Sequence, residues 1–518
     1  MSRAIFKSTT TVGLITLLSR ITGLVRDVAQ AHLFGGGPVA DAFLVAYKIP
    51  NFLRRLFAEG AFSQSFVPVI AEYKQHRSEA EVRELVSGAA GTLGLALFAL
   101  SVVAVIAAPL IIWAFAPGFA RTGDRYAIAV QMLRLTFPYL LFVSLTALAS
   151  GVLNSYGRFG PPAFTQVLSN AVMIVAAVWI APHFPNPGLV LAGAVFVGGV
   201  LQVIYQIPFV MRVRMLGWPR WRWDHEGVRR VARLMGPGIL GSSVAQISLL
   251  LDTQIASFLA TGSVSWLYFA SRLMEFPQGV FSVALGTVIL PSLSAHHAAA
   301  APERLSATLE WALKLVLIMV LPAAVALFVL SGPLIATIFE HGRFHAHDVQ
   351  MSSYALMAFS FGLLGFSFVK VLAPGYFSRQ DTRTPVRVSL IALGVNIGVN
   401  LLVVAPLAYL RVLPAPHAFL AVSTSLTGTT NAWLLYRGLR RSGVLRPGPG
   451  WRRLTVRVVA ACTVMGVLLA WLAGDPSRWV VMPAWTRAGH LAVCVVAGAT
   501  AYFAALFAFG LRRADLRD

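Results

Sequence analysis

Apolar runs of membrane-crossing length recur from one end of the chain to the other, with short polar stretches between them. A helix needs about 20 residues to cross the hydrocarbon core of a bilayer. Runs of that size fall at 9–34, 39–70, 85–116, 126–154, 161–182, 187–211, 230–260, 263–293, 306–339, 348–377, 384–410, 415–438, 454–473 and 486–511. Several breaks carry turn chemistry: Gly35-Gly36-Gly37-Pro38, Gly160-Pro161-Pro162, Pro185-Asn186-Pro187 and Arg446-Pro447-Gly448-Pro449-Gly450. The pattern predicts an all-α polytopic membrane protein with about 14 transmembrane helices.

Composition agrees. Of 518 residues, 57% are hydrophobic and 12% are charged, about half the charge of a soluble domain. The net charge of +22 would point to nucleic acid on a soluble protein. Here it sits in the short segments between apolar runs, so it reads as a topology signal and not as a nucleic-acid surface. One set of loops, with both termini, holds 27 of the 42 Lys and Arg. Its heaviest clusters are Arg212, Arg214, Arg220, Arg222, Arg229, Arg230 and Arg233, and Arg437, Arg440, Arg441, Arg446, Arg452, Arg453 and Arg457. The opposite set holds six: Arg121, Arg125, Arg343, Arg411, Arg478 and Arg487. The positive-inside rule therefore places both termini in the cytoplasm. Cys462 and Cys494 lie in apolar runs with no CxxC spacing, which argues against a zinc site or a disulfide framework. Near the N-terminus, Ala29-Gln30-Ala31 mimics a signal-peptidase site. Arg20, Arg26 and Asp27 interrupt the approach to it, so the stretch reads as a first span.

The chain also echoes itself at an offset of about 220 residues. Phe57, Gly60, Phe62 and Ser63 match Phe276, Gly279, Phe281 and Ser282. Pro109-Leu110-Ile111 with Phe115 and Gly118 matches Pro333-Leu334-Ile335 with Phe339 and Gly342. Gly151 and Pro161 match Gly375 and Pro385. The order is the same in both halves and six predicted helices separate the partners, so the repeat is parallel. It implies two six-helix lobes, 1–215 and 216–445, followed by two extra helices within 446–518.

An arginine at the centre of a lipid-facing helix costs about 2.5–3.5 kcal/mol. Nine Lys and Arg fall within or near the ends of the predicted spans. Lys314, Lys370 and Arg134 fit snorkelling from helix ends; the others combine with polar neighbours. In the first predicted helix Ser19, Arg20, Arg26 and Asp27 cluster around Gly23, with Arg20 and Asp27 at i,i+7. In the second, Asp41, Lys48 and Arg55 recur at seven-residue spacing with Asn51, Arg54 and Glu59 nearby, and Pro50 interrupts the middle. Arg55 and Glu59 are spaced to pair, as are Arg272 and Glu275 in the eighth. Two readings are open: an internal salt-bridged face, or a water-accessible arginine cluster. Guanidinium stays charged and binds phosphate by paired hydrogen bonds, so the second suits an anionic phosphate or pyrophosphate cargo. Asp252, Asn396 and Asn400 could coordinate a sodium ion or form a hydrogen-bonded helix interface. No Walker A loop, GxSxG or HExxH is present, so no enzyme chemistry or cofactor is expected beyond that possible sodium ion.

Several strings together carry a family resemblance. They are the Ser19–Asp27 stretch, Asp41-Ala42-Phe43, the stretch 51–63, Gln254–Leu259 with Gly262–Trp266, and Ala373–Thr382. The chain resembles the MurJ (MviN) lipid II flippases of the multidrug/oligosaccharidyl-lipid/polysaccharide exporter superfamily over nearly its whole length. That resemblance implies two six-helix lobes plus two helices forming a groove for the undecaprenyl tail. It implies alternating access that moves lipid II from the cytoplasmic to the periplasmic leaflet of a bacterial inner membrane, in step with cell-wall synthesis machinery. Arg20, Arg26, Arg54 and Arg272 match the family's cavity arginines, and Asp41 and Glu59 its acidic positions. The Asp252/Asn396/Asn400 set resembles a sodium site of some members, with Asn400 where a carboxylate is usual. Ser271 stands where many members carry Asp beside the arginine. Other readings are an exporter of a different lipid-linked oligosaccharide, or a membrane glycosyltransferase or ligase. The latter should have a large outer loop with catalytic carboxylates, and the predicted outer loops are short.

Overall fold

The computed structural model describes residues 3–56, 62–298, 302–406, 414–448 and 450–511, and no strand occurs among them. In chain order the main helices are α1 (Arg3–Phe34), α2 (Pro38–Leu53), α3 (Ser63–His76), α4 (Glu79–Ile106), α5 (Ala108–Phe115), α6 (Asp124–Thr136), α7 (Tyr139–Ser155), α8 (Gly160–Val175), α9 (Pro187–Arg212) and α10 (Glu226–Ser257). They continue with α11 (Ser263–Ala298), α12 (Pro302–Val329), α13 (Ser331–Phe339), α14 (Ala346–Phe377), α15 (Arg383–Val399), α16 (Pro416–Arg441), α17 (Trp451–Ala473), α18 (Pro476–Val481) and α19 (Ala484–Ala508).

Among the described residues, nine helices are long and apolar enough to cross a membrane. The predicted spans at 9–34, 230–260, 263–293 and 415–438 are helical too, as α1, α10, α11 and α16, and the span predicted at 39–70 contains α2 and α3. These helices carry the intramembrane charges and hydroxyls: Arg20, Arg26 and Asp27; Asp41, Lys48 and Arg54; Asp252; Arg272 and Glu275; Ser423, Ser425 and Thr429.

The chain forms two compact units, Met1–Ser265 and Trp266–Asp518. In the first, α6 packs on α2 and α9, α7 on α9, α3 and α4, α8 on α1 and α9, and α10 on α3. Phe66 and Ile70 of α3, Leu85 of α4, and Val152 and Leu153 of α7 are fully buried in its core. In the second, α14 packs on α16 and α12, α17 on α12 and α19, and α13 on α14, α18 and α19. Lipid is as apolar as a leucine side chain, so membrane helices pair through small residues and hydrogen bonds. The α14–α16 contact follows that rule. Gly362 and Gly365 face Ser425 and Thr429, a Cβ on Gly362 would lie 2.7 Å from Ser425, and the Ser425 hydroxyl donates to the Ala358 carbonyl at 2.8 Å.

Three local features recur in both units at the repeat offset. α4 breaks into α5 at Ala107 (φ −80°, ψ 7°), and α12 breaks into α13 at Leu330 (φ −94°, ψ 16°). α8 runs into a π-helical turn at Ala176–Ile180, and α15 into one at Asn400–Val404. α7 ends with Arg158 N–H donating to the Leu153 carbonyl around a left-handed Gly157 (φ 71°). The end of α14 has Asp381 N–H donating to the Tyr376 carbonyl around Gln380 (φ 60°). One helix-ending motif is thus made with glycine in one half and with a strained non-glycine in the other.

Candidate substrate-binding site

α1 is a long apolar helix whose C-terminal half carries the first arginine group. Ser19 and Arg20 are half-buried, whereas Arg26 and Asp27 are 3% and 2% exposed. The pair that forms is between neighbours. Arg26 Nη2 and Nε donate to Asp27 Oδ1 at 2.7 and 3.1 Å, and Nη1 donates to Asn170 Oδ1 of α8 at 3.1 Å. Asn170 Nδ2 in turn donates to the Ser19 carbonyl and to Thr22 Oγ1, both at 3.2 Å. Asn170 therefore fastens α1 to α8 at the level of Arg20 and Arg26. Sequence reading missed it, although it is an amide inside the apolar run 161–182.

The stripe on α2 is built partly from local contacts. Asn51 and Arg54 form a local unit: Asn51 Nδ2 donates to the Tyr47 carbonyl at 2.8 Å, and Arg54 Nε donates to Asn51 Oδ1 at 3.1 Å. Arg54 is half-buried and Arg55 exposed. Pro50 has no N–H to offer the Ala46 carbonyl one turn before it, and the Thr136 hydroxyl of α6 donates to that carbonyl at 3.0 Å instead; regular α-geometry ends at Leu53. Lys48 Nζ reaches Thr253 Oγ1 of α10 at 3.4 Å, next to Asp252, which is half-buried. Glu59, and with it the expected Arg55–Glu59 pair, lies outside the described residues.

Asp41, at the start of α2, has a different job from the one its spacing indicated. Its side chain is fully buried. Oδ2 accepts from Gly262 N–H (2.7 Å), and Oδ1 accepts from Ser265 N–H (3.0 Å) and Oγ (2.6 Å). Arg125 Nη1 lies 3.6 Å away and the Arg125 guanidinium sits 4.9 Å over the Phe119 ring. Asp41 thus caps the orphan N–H groups at the start of α11 from outside that helix. A carboxylate near a helix start is drawn to its N–H donors, wherever in the chain they originate. Arg125 is corrected as well. It counted as an outer-loop charge, but it lies in the first turn of α6 and is 5% exposed.

In the second unit Arg272 forms the expected i,i+3 pair with Glu275 at 2.8 Å, both partly exposed, and its guanidinium lies 5.4 Å from the Tyr268 ring centre. Ser271 turns its hydroxyl back to the Tyr268 carbonyl at 2.8 Å. Asn396 and Asn400 are fully buried and joined to each other at 3.3 Å, with Asn396 Nδ2 donating to Ser423 Oγ of α16 at 3.2 Å. That is the hydrogen-bonded interface reading with Ser423 added. Asp252 belongs to the first unit and the two asparagines to the second. Among the described residues, no group of three or more His, Cys, Asp or Glu is placed to hold a metal. Arg487 was another charge assigned to an outer loop. It is buried instead, in an ion pair with Glu340 and a 3.1 Å hydrogen bond to the Trp479 carbonyl, which fastens α19 to α13.

Apolar helices that draw arginines, carboxylates and amides inward, arranged with repeated local features in two halves, define a multi-pass membrane transporter fold. The family described as "Lipid II flippase MurJ" matches residues 30–488, and the chain belongs to it. It is 44% identical to the lipid II flippase MurJ of Burkholderia cenocepacia, covering 99% of both chains, and 42% identical to the probable lipid II flippase MurJ of Haemophilus influenzae, covering 97% of this chain and 99% of that one. Among solved structures it superposes on a lipid II flippase MurJ in an inward closed conformation with a TM-score of 0.80 at 24% identity, covering 98% of this chain and 99% of that one. An inward-facing multidrug resistance MATE family transporter of the MOP superfamily matches with a TM-score of 0.63 at 16% identity, over 86% of this chain and 99% of that one. The likeness to these structures is one of fold.

Proposed function

We propose that this protein is a lipid II flippase that carries the undecaprenyl-pyrophosphate-linked peptidoglycan precursor from the cytoplasmic to the periplasmic leaflet of the bacterial inner membrane. The observation that carries the reading is the set Arg20, Arg54 and Arg272: guanidiniums held on otherwise apolar helices yet not fully buried, in a chain that belongs to the MurJ family. A charge at membrane depth needs water, a counter-charge or a ligand, and a pyrophosphate satisfies several guanidiniums at once. In this reading the chain has fourteen spans with both termini in the cytoplasm. Arg20, Arg54, Arg55 and Arg272, with Ser19 and Asn51, meet the pyrophosphate, and Arg26 supports them from its buried pair with Asp27. The prenyl tail stays in lipid along α17 and α19.

Transport is by alternating access. Outward movement of the anionic headgroup runs downhill in an inside-negative potential by about 2.3 kcal/mol per charge per 100 mV. Coupling to a sodium ion would reset the carrier, and the cell-wall polymerising machinery would consume the delivered precursor. The chemistry is translocation without bond cleavage, as expected of a flippase and not of an enzyme.

The test is depletion in cells followed by measurement of lipid II in the outer leaflet. Externalisation should stop and be restored by the wild-type chain. Arg20→Ala, Arg54→Ala and Arg272→Ala should each fail to restore it at normal protein levels. Normal lipid II exposure after depletion, in a strain without a second flippase, would overturn the reading. Blocked export of another lipid-linked oligosaccharide would point to a different cargo.

A further inference from the structure

The connection between α9 and α10 is a strap laid along α4. Arg83 Nε donates to the Arg214 carbonyl at 2.8 Å and the Ser87 hydroxyl to the Trp218 carbonyl. Arg220 N–H donates to the Ser87 carbonyl at 3.2 Å, and Arg222 N–H to Thr92 Oγ1 at 3.2 Å. Gly91 makes the approach possible, because a Cβ there would lie 2.3 Å from the Arg220 carbonyl oxygen. Between Arg214 and Arg222 the strap is thus tied to its neighbour through its backbone, which leaves its side chains to point elsewhere.

They point outward. Trp218, Trp221 and Trp223 are 83%, 56% and 50% exposed, and the last two stack with ring centres 6.3 Å apart. Arg212, Arg214 and Arg220 are exposed beside them, while Arg222 turns back to Glu84 at 2.5 Å.

The position along α4 fixes the level of the strap. Beyond Thr92, the strap's last anchor, α4 and α5 present Leu95, Phe98, Val103, Ile106, Leu110 and Trp113 as exposed apolar surface. From Leu95 to Phe115 is about the 20 residues that a hydrocarbon core requires. The strap therefore lies just outside that core, where amphipathic indoles settle and where guanidinium meets phosphate.

We propose that the Trp218–Trp223 strap is an interfacial anchor selective for anionic phospholipid headgroups. The three indoles enter the headgroup–acyl boundary, and Arg212, Arg214 and Arg220 take the phosphates. This rests on the multi-pass membrane assignment and is independent of which cargo the protein carries.

The experiment uses the full chain in lipid bilayers. Tryptophan fluorescence is compared with that of the Trp218→Phe/Trp221→Phe/Trp223→Phe variant, and the difference isolates the strap. In mixed bilayers the strap signal should be quenched by phosphatidylglycerol brominated near the headgroup at least about fivefold more effectively than by brominated phosphatidylcholine, the Boltzmann factor for one arginine at an anionic surface. Arg212→Gln with Arg220→Gln should remove that preference. High salt should remove it in the wild-type protein without any substitution. Quenching by aqueous acrylamide with none by brominated lipid would overturn the proposal and indicate a surface for a soluble protein. Equal quenching by the two brominated lipids would overturn it as well, leaving a contact without headgroup selectivity.

Discussion

Asp41 offers the sharpest test of what holds the molecule together. Its carboxylate caps the Gly262 and Ser265 N–H groups, accepts from the Ser265 hydroxyl and faces Arg125, all within the first unit. Asp41→Ala leaves two helix-start N–H groups without their acceptor and a buried guanidinium without its counter-charge. Removing one member of a buried pair costs about 3–5 kcal/mol, well above the usual range for a point substitution. Asp41→Asn keeps an acceptor oxygen and loses the charge, so its cost should be about half of that. For a unit the size of Met1–Ser265, each kcal/mol moves a melting temperature by about 2–4 °C. Asp41→Ala should therefore fall by roughly 6–20 °C.

The assay is thermal unfolding of the detergent-solubilised protein at one fixed scan rate, because unfolding of large chains is often irreversible. Arg125→Gln closes a double-mutant cycle. The double variant should lose less than the sum of the single losses, by about 1–3 kcal/mol. A drop under about 2 °C for Asp41→Ala, or strict additivity with Arg125→Gln, would refute the capping account. Loss of transport with a wild-type melting curve would return Asp41 to the substrate site, where its seven-residue spacing first put it.

Gly157 and Gln380 end equivalent helices in the same left-handed conformation, which costs a non-glycine about 1–2 kcal/mol. Gln380→Gly should raise the melting temperature and Gly157→Ala should lower it. Arg487→Met strips Glu340 and the Trp479 carbonyl of their shared donor. It should cost about 3 kcal/mol and speed limited proteolysis between α17 and α19. In the α14–α15 connection, the Thr384 hydroxyl and N–H both donate to Asp381 and hold its carboxyl below the usual carboxylate range. A depressed value contributes stability that is full above the ordinary aspartate range and is lost as pH falls through the lower folded value. Protection of the Thr384 amide against hydrogen exchange should therefore persist through mild acid and fall only below the ordinary aspartate range. Asp381→Asn should be weaker at neutral pH and show no acid limb.

How much was legible depended on whether an interaction lies along one helix or between helices. Arg272–Glu275 and the Asn396–Asn400 pair are one turn apart and could be read from spacing alone. The apolar runs and their breaks gave the helix order for the same reason. Asp41 could not be placed this way. Its hydrogen-bond partners Gly262 and Ser265 lie more than 200 positions away, and a seven-residue stripe says only which side of α2 it occupies. Arg125 and Arg487 were legible as charges on one side of the membrane. A charge tally cannot separate a solvated loop arginine from one folded under a helix end, because only tertiary packing decides whether a carboxylate waits there. The strap shows the same limit in reverse. Its arginines were read as a topology signal, and the alternating tryptophans gained meaning only once their backbone was seen tied along α4.

The arginines inside the molecule sort by one physical rule. A guanidinium withdrawn from water must be met by a carboxylate or by enough acceptors to replace its hydration. Arg26, Arg125 and Arg487, at 3–5% exposed, each have that carboxylate in Asp27, Asp41 and Glu340. An arriving phosphate would have to displace a counter-ion already in place. Arg20 and Arg54 are half-buried, and Arg272 pairs with Glu275 where both are partly exposed, so a phosphate replaces water or a hydrated carboxylate there at far smaller cost. In the proposed flippase reading, direct attraction of the cargo's charge falls to the half-buried set. Arg26 belongs with Asn170, which bonds to it and to the Ser19 carbonyl. Together they set where on α8 the α1 helix rests, and hence the level of Arg20.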